Sequence, residues 1–94
     1  MKKYLLDCEA VSSGAEFWDL YLRIVSPEGA GFFGRNLDAF WDATAGGGPG
    51  WPGNCQIVVV NTGLLAHRNG DFLKKFKEVA RDIPLCVGVE VIFK

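Results

Sequence analysis

A chain of 94 residues is long enough to close one domain around its own apolar core, without the disulfide or metal support that much shorter chains need. Hydrophobic residues supply 49% and charged residues 22%, a globular balance that excludes a disordered chain. Ten Lys and Arg against eleven Asp and Glu leave a net charge of −1, so no overall field points to nucleic acid or to a membrane surface.

Lys3 to Cys8 is short, apolar and without helical period, which predicts a first strand. Ser13-Gly14-Ala15-Glu16 matches a capping box, with Ser13 covering the first free amides and Glu16 reaching back to the Ser13 amide. The helix that follows places Phe17, Leu20, Tyr21 and Ile24 on its apolar stripe, widened by Leu22 and Val25. Pro27 and Gly29 end it, and Ser26 to Gly34 is a loop.

Asn36 is a favourable N-cap for a second helix, Leu37 to Ala45, and Gly46 suits the position after its end. Leu37, Phe40, Trp41 and Thr44 fall on the inward side; Asp38, Asp42 and Ala45 fall on the other, with Trp41 at the border. Gly46 to Gly53, GGGPGWPG, is a flexible loop. Its G-x-G-x-x-G match at Gly48, Gly50 and Gly53 carries little weight, because it contains two prolines and precedes a strand instead of opening a helix.

Gln56 to Val60 is apolar on both faces, as in a parallel sheet covered by helices. Thr62 to His67 suits a short helical turn, Asn69-Gly70-Asp71 a turn and cap, and Phe72, Phe76, Val79 and Ala80 a last helix ending near Asp82. After Pro84, Leu85 to Phe93 alternates as a third strand, with Val87, Val89, Val91 and Phe93 on one face. Residues 1–94 therefore form a single α/β domain, a three-stranded parallel sheet packed with three to four helices.

The charge is uneven along the chain: residues 1–50 hold four basic and seven acidic side chains, net −3, and residues 51–94 hold six and four, net +2. Cys8, Cys55 and Cys86 are odd in number, far apart and beside apolar runs, which implies buried free thiols in a reducing cytoplasm. Asp7 and Glu9 interrupt the first apolar run, so neither a signal h-region nor a spanning helix is expected.

Catalytic parts are few. His67 is the only histidine, no serine or cysteine stands in a nucleophile motif, and no metal-ligand spacing occurs, so neither enzyme activity nor a cofactor is expected. The two aspartates of the second helix ask for another reason. Like charges one turn apart destabilise a helix, and Asp42 lies in the half where the dipole favours cations. With Trp41 and the pair Phe32-Phe33 they read as an exposed acidic and aromatic patch, suited to a basic cleft that holds phosphates. A metal-assisted hydrolase using Asp38 and Asp42 would need further ligands from elsewhere.

Phe32-Phe33 followed by Gly34-Arg35-Asn36-Leu37-Asp38-Ala39-Phe40-Trp41-Asp42 resembles the central helix of the barstar family, intracellular inhibitors of guanyl-specific ribonucleases such as barnase. The similarity runs from the opening lysines through the apolar strand to Phe76-Lys77-Glu78 and the closing strand. It implies that family's fold, a cytoplasmic inhibitor that is monomeric when free, and a 1:1 complex with an extracellular-type ribonuclease or a related basic nuclease toxin. Nucleic acid, membrane, metal and cofactor are not implied partners.

Carried over by position, the resemblance implies a contact set of Phe32, Phe33, Gly34, Asn36, Asp38, Trp41, Asp42, Ala45 and Glu78. Asp42 would enter the enzyme's phosphate site, Asp38 would meet basic groups on the rim, Trp41 would pack at the edge, and Glu78 would add an outlying salt bridge. Gly34 would lie on the guanine-recognition side. Phe32 stands where the family's best-known member carries a tyrosine, so a contacting hydroxyl is missing, and Ala45 stands where it carries a threonine; Arg35 stands where it carries an acid, which with the net charge near zero suggests weaker steering and a cognate nuclease that can differ from the family's usual one. An immunity or regulatory module of the same fold, directed at another basic target, is the alternative.

Overall fold

Strand and helix alternate along the chain as the apolar patterns require. In the computed structural model, which describes residues 2–84 and 87–94, the order is β1 (Lys2–Asp7), α1 (Gly14–Val25), α2 (Leu37–Gly46), β2 (Cys55–Val60), α3 (Thr62–Arg81) and β3 (Val89–Phe93). A 3-10 turn at Ala30–Phe32 lies between α1 and α2. The strands form one sheet in the order β1-β2-β3, with both pairs parallel. The expected α/β fold with a three-stranded parallel sheet is the one observed.

Sequential strand order has a consequence for the layers. Right-handed crossovers that always step the same way put every helix on the same side of the sheet. The core accordingly unites Leu6, Cys8, Cys55, Ile57, Val59 and Val89 with side chains from all three helices. Leu5, Val58, Val60 and Ile92 lie outside it, on the other face. This corrects the expectation that helices cover both faces of β2: its apolar run reflects one packed face and one open face.

The N-terminus of α1 is capped as expected by Ser13, whose Oγ accepts from the Glu16 N–H at 3.2 Å. The reciprocal half shifts by one residue, because the Glu16 carboxylate accepts from the Ser12 N–H at 3.0 Å and from its hydroxyl at 2.6 Å. The buried stripe keeps Phe17, Leu20, Tyr21 and Val25 as expected but takes in Trp18 in place of Ile24. Trp18 is 2% exposed whereas Ile24 is 42% exposed, since Trp18, Tyr21, Leu22 and Val25 offer the same i, i+3, i+4, i+7 spacing with a larger apolar body. Trp18 stacks edge-on against Phe17, Tyr21 and Phe33 and lies against Phe40 and Phe76. It is the hub that fixes both α2 and the loop before it.

α3 joins the two helical pieces expected on either side of Asn69. The backbone there leaves helical geometry (φ −155°, ψ 69°), and the Asn69 side chain accepts from the Phe72 N–H at 3.3 Å. The cap therefore forms, but as a kink instead of a break. β1 lies one residue earlier than expected, although the Cys8 N–H still pairs with the Val60 carbonyl at 3.0 Å. β3 begins at Val89, after Gly88 at φ 77°, where any Cβ would meet the Asn54 side chain at 2.4 Å. The Leu85 and Cys86 part of the expected strand, and with it the expectation of a buried thiol at Cys86, lies outside the described residues.

Candidate protein-interaction surface on α2

α2 is held at both ends by local chemistry. Asn36 Oδ1 accepts from the Ala39 N–H at 2.7 Å, and its Nδ2 donates to the Gly34 carbonyl at 3.2 Å. One side chain thus caps the helix and closes the turn that leads into it. At the other end Gly47 takes the left-handed conformation (φ 70°), and the N–H groups of Gly47 and Gly48 both reach the Asp42 carbonyl. The helix ends one residue later than Ala45, with Gly47 instead of Gly46 as the left-handed cap.

The inward face is Phe40, Ala43 and Thr44, all buried, with Leu37 and Trp41 half-buried against the core. Thr44 meets its need for a partner within the helix, its hydroxyl donating to the Phe40 carbonyl at 2.9 Å. Asp38 and Asp42 are exposed on the outward side and Ala45 is half-buried beside them. Among the described residues neither carboxylate has an ion pair or a side-chain hydrogen bond. Trp41 holds the border position expected of it, one side on the core and the other toward the acids.

The aromatic pair divides. Phe32 is 85% exposed, but Phe33 is 6% exposed and packs on Trp18 and Tyr21. Phe33 is therefore corrected from the exposed patch to the core: the 3-10 turn ends at Phe32, Phe33 leaves it in extended backbone (φ −73°, ψ 130°), and only Phe32 faces out. Space at Gly34 is tight, since a Cβ would sit 3.0 Å from the Ala39 methyl.

The glycine loop, expected to be flexible, is tied to this same loop. The buried Tyr21 hydroxyl donates to the Gly50 carbonyl at 2.7 Å, and the Gly50 N–H donates to the Glu28 carbonyl at 2.8 Å. Gly50 sits at φ 93° with the Phe33 ring where a side chain would begin, 2.5 Å from the ideal Cβ. Burial pushes the Tyr21 phenol upward, which keeps it a donor. Tyr21 and Gly50 thus shape the surface, Gly50 through its backbone and not as part of a phosphate-binding G-x-G-x-x-G. The nearest sequence signal was Gly50 itself, set between Pro49 and Pro52.

Arg35 adopts the left-handed conformation (φ 56°), and its guanidinium pairs with Asp19 of α1. Both groups are largely exposed, so the pair adds little stability. Its effect is to hold a cation at the entrance of α2, beside an open cleft of ≈ 330 Å³ that Trp18, Asp38 and Phe72 also line. Glu78 is exposed on α3, the helix that packs against α2, and has no ion pair among the described residues.

Among the described residues no three His, Cys, Asp or Glu side chains converge as metal ligands, so nothing joins Asp38 and Asp42 as a third donor. No helix among them is long and apolar enough to cross a membrane. Cys8 and Cys55 are buried free thiols, as expected; burial first, then the Asp7 charge, pushes Cys8 up to about 11.

A capped acidic helix with a bordering tryptophan, on one side of a three-stranded parallel sheet, is the geometry the resemblance implied. Residues 1–86 match the model of the family described as Barstar (barnase inhibitor). The chain belongs to the barstar family. No curated protein matches it. Barstar-family proteins are inhibitors and not enzymes, in line with the scarcity of catalytic parts here, and the family membership implies binding to a ribonuclease such as barnase.

Proposed function

We propose that this protein is a stoichiometric inhibitor of a guanyl-specific, barnase-like ribonuclease and that it blocks the substrate cleft with α2. The observation that carries the reading is the exposed couple Asp38 and Asp42, one turn apart on a helix capped at both ends and without an ion pair among the described residues. Their charge, uncompensated by an ion pair among the described residues and fixed in direction, suits a cationic phosphate site. Asp42 enters that site and Asp38 meets its rim; Trp41 and Phe32 cover the edge, Gly34, Asn36 and Ala45 shape the approach, and Glu78 adds a peripheral charge. Phe33 acts from beneath, by holding the loop. The complex is 1:1 and forms in the cytoplasm, where the buried thiols stay reduced.

Mixing the purified chain with a guanyl-specific ribonuclease and following RNA cleavage tests this. Activity should fall linearly to zero at one equivalent. Cleavage that persists at a large excess of the chain would overturn the reading for that enzyme class. Arg35, paired with Asp19 beside the acidic helix, favours a second reading, an immunity module of the same fold for a basic nuclease toxin that carries an acid opposite Arg35. Pull-down against a panel of basic microbial nucleases separates the two.

A further inference from the structure

The sheet face away from the helices carries its own pattern. In register across the three strands it presents Lys3, Gln56 and Glu90, then Leu5, Val58 and Ile92, then Asp7 and Val60. Lys94 continues the last row, its N–H donating to the Val59 carbonyl at 2.7 Å and its side chain alternating with the core residue Phe93. The middle row is wholly apolar. Leu5 is 58% exposed, and Val58, between Leu5 and Ile92 in register, is 2% exposed though it lies outside the core.

The four corners of this face are Lys3, Glu90, Asp7 and Lys94, so charge alternates around it. That arrangement complements itself. If a second copy is placed face to face by a two-fold axis along the strands, Lys3 meets Glu90 and Asp7 meets Lys94. With the axis across the strands, Lys3 meets Asp7 and Glu90 meets Lys94. Both operations bring Val58 over Val58 and leave no like charges opposed. The acidic corners are already positioned, Glu90 accepting from Gln56 Nε2 at 2.8 Å and Asp7 accepting from Asn61 Nδ2 at 2.6 Å. The lysines have no ion pair among the described residues.

We propose that the open sheet face is a self-association surface that pairs two copies of this chain by a two-fold axis in the plane of the sheet. α2 lies on the opposite side of the sheet, so both acidic helices stay free and each copy can still engage its own target. Three strands of about 14 Å total width and about 20 Å length present roughly 300 Å² per copy. Both copies together bury roughly 600 Å², well below a standard interface, so the dimer is weak and forms only at the top of the accessible concentration range. At micromolar concentration the chain remains the free monomer expected from its sequence.

Sedimentation equilibrium at low ionic strength, from about 10 µM to about 1 mM, is the test. The average mass should climb toward the dimer over the top decade, and less so at high salt. Leu5→Glu and Lys3→Glu, both at exposed positions, should keep the fold by thermal melt and hold the mass at that of the monomer. Adding Glu90→Lys to Lys3→Glu restores association if the axis runs along the strands, and adding Asp7→Lys restores it if the axis runs across them. A wild-type chain that stays monomeric throughout, single variants that associate as well as wild type, or failure of both charge exchanges to restore association overturns the proposal.

Discussion

Asp42→Ala separates binding from stability, because the two should move in opposite directions. The Asp42 carboxylate lies just past the middle of α2, more than a turn from its C-terminal end, where a negative charge opposes the helix dipole by only about 0.3 kcal/mol. Asp38, one turn earlier, adds repulsion of about 0.2 to 0.5 kcal/mol. Alanine is also the better helix former, by up to about 0.7 kcal/mol. No side-chain hydrogen bond or ion pair among the described residues is lost in exchange, and the main-chain cap from Gly47 and Gly48 to the Asp42 carbonyl is untouched. The variant should therefore gain roughly 1 kcal/mol, which raises Tm by about 4 to 8 °C in a domain of this size. Binding should weaken by about 2 kcal/mol or more, roughly 30-fold in Kd, as for other central charges at interfaces. Calorimetry gives both readouts, a thermal scan of the free variant and a titration into the ribonuclease. A lower Tm with unchanged affinity would refute the reasoning.

Gly50→Ala should destabilise the fold by about 1 to 3 kcal/mol, since its backbone is left-handed and its Cβ would strike the Phe33 ring. Gly46→Ala, with nothing within 4 Å of its Cβ and a helical backbone, should be neutral or stabilising by up to about 1 kcal/mol. Equal melts for the two would remove the proposed lock on the glycine loop. Cys8 is held neutral by burial, and its folded value is raised from 9.0 to about 11. Its contribution is fully present below pH 9 and is lost as pH rises toward 11, because the unfolded thiol gives up its proton first. Urea unfolding across that window should show a fall on the order of 2 kcal/mol, and Cys8→Ala should remove that part of the slope. Arg35→Glu adds negative charge beside Asp38 and should raise the association rate with a basic ribonuclease by up to about tenfold at low salt, an advantage that disappears at high salt. Stopped-flow measurement at two ionic strengths checks it; a slower rate would favour a target with an acid facing Arg35.

The helix ends were legible because their rules are local. Ser13, Asn36 and Asn69 each cap a helix through a backbone amide two or three residues away, and spacing alone identifies such pairs. Asp38, Trp41 and Asp42 were legible for a similar reason, as faces of a helix follow from a fixed period. What depended on distant partners was not. Phe32 and Phe33 are identical neighbours in a loop without period; the contact of Phe33 with Trp18, Tyr21 and Gly50 decides which one is buried. The exchange of Ile24 for Trp18 in the buried stripe of α1 was settled by rings contributed from α2, α3 and the loop. The open face of β2 looked like a covered one because apolar runs on either kind of face are alike in composition. Strand order, invisible in a window of six residues, made the difference.

The same long-range packing explains how α2 can carry charges that oppose its own stability. Burial of Phe40 alone contributes about 1.5 to 3 kcal/mol, more than the few tenths of a kcal/mol of repulsion between the paired aspartates, of which Asp38 lies in the favourable first turn. Ala43 and Thr44 add to that margin, and Asn36 and Gly47 secure the ends. The loop before the helix is fixed independently, by Phe33 beneath and by Gly50 and Tyr21 alongside. A surface held in this way loses little conformational freedom when it binds, so more of the electrostatic attraction remains as affinity. On the proposed reading the aromatic core serves recognition too: substitutions at the buried Trp18 or Tyr21 should weaken inhibition by loosening the loop and helix that present Phe32 and Asp42.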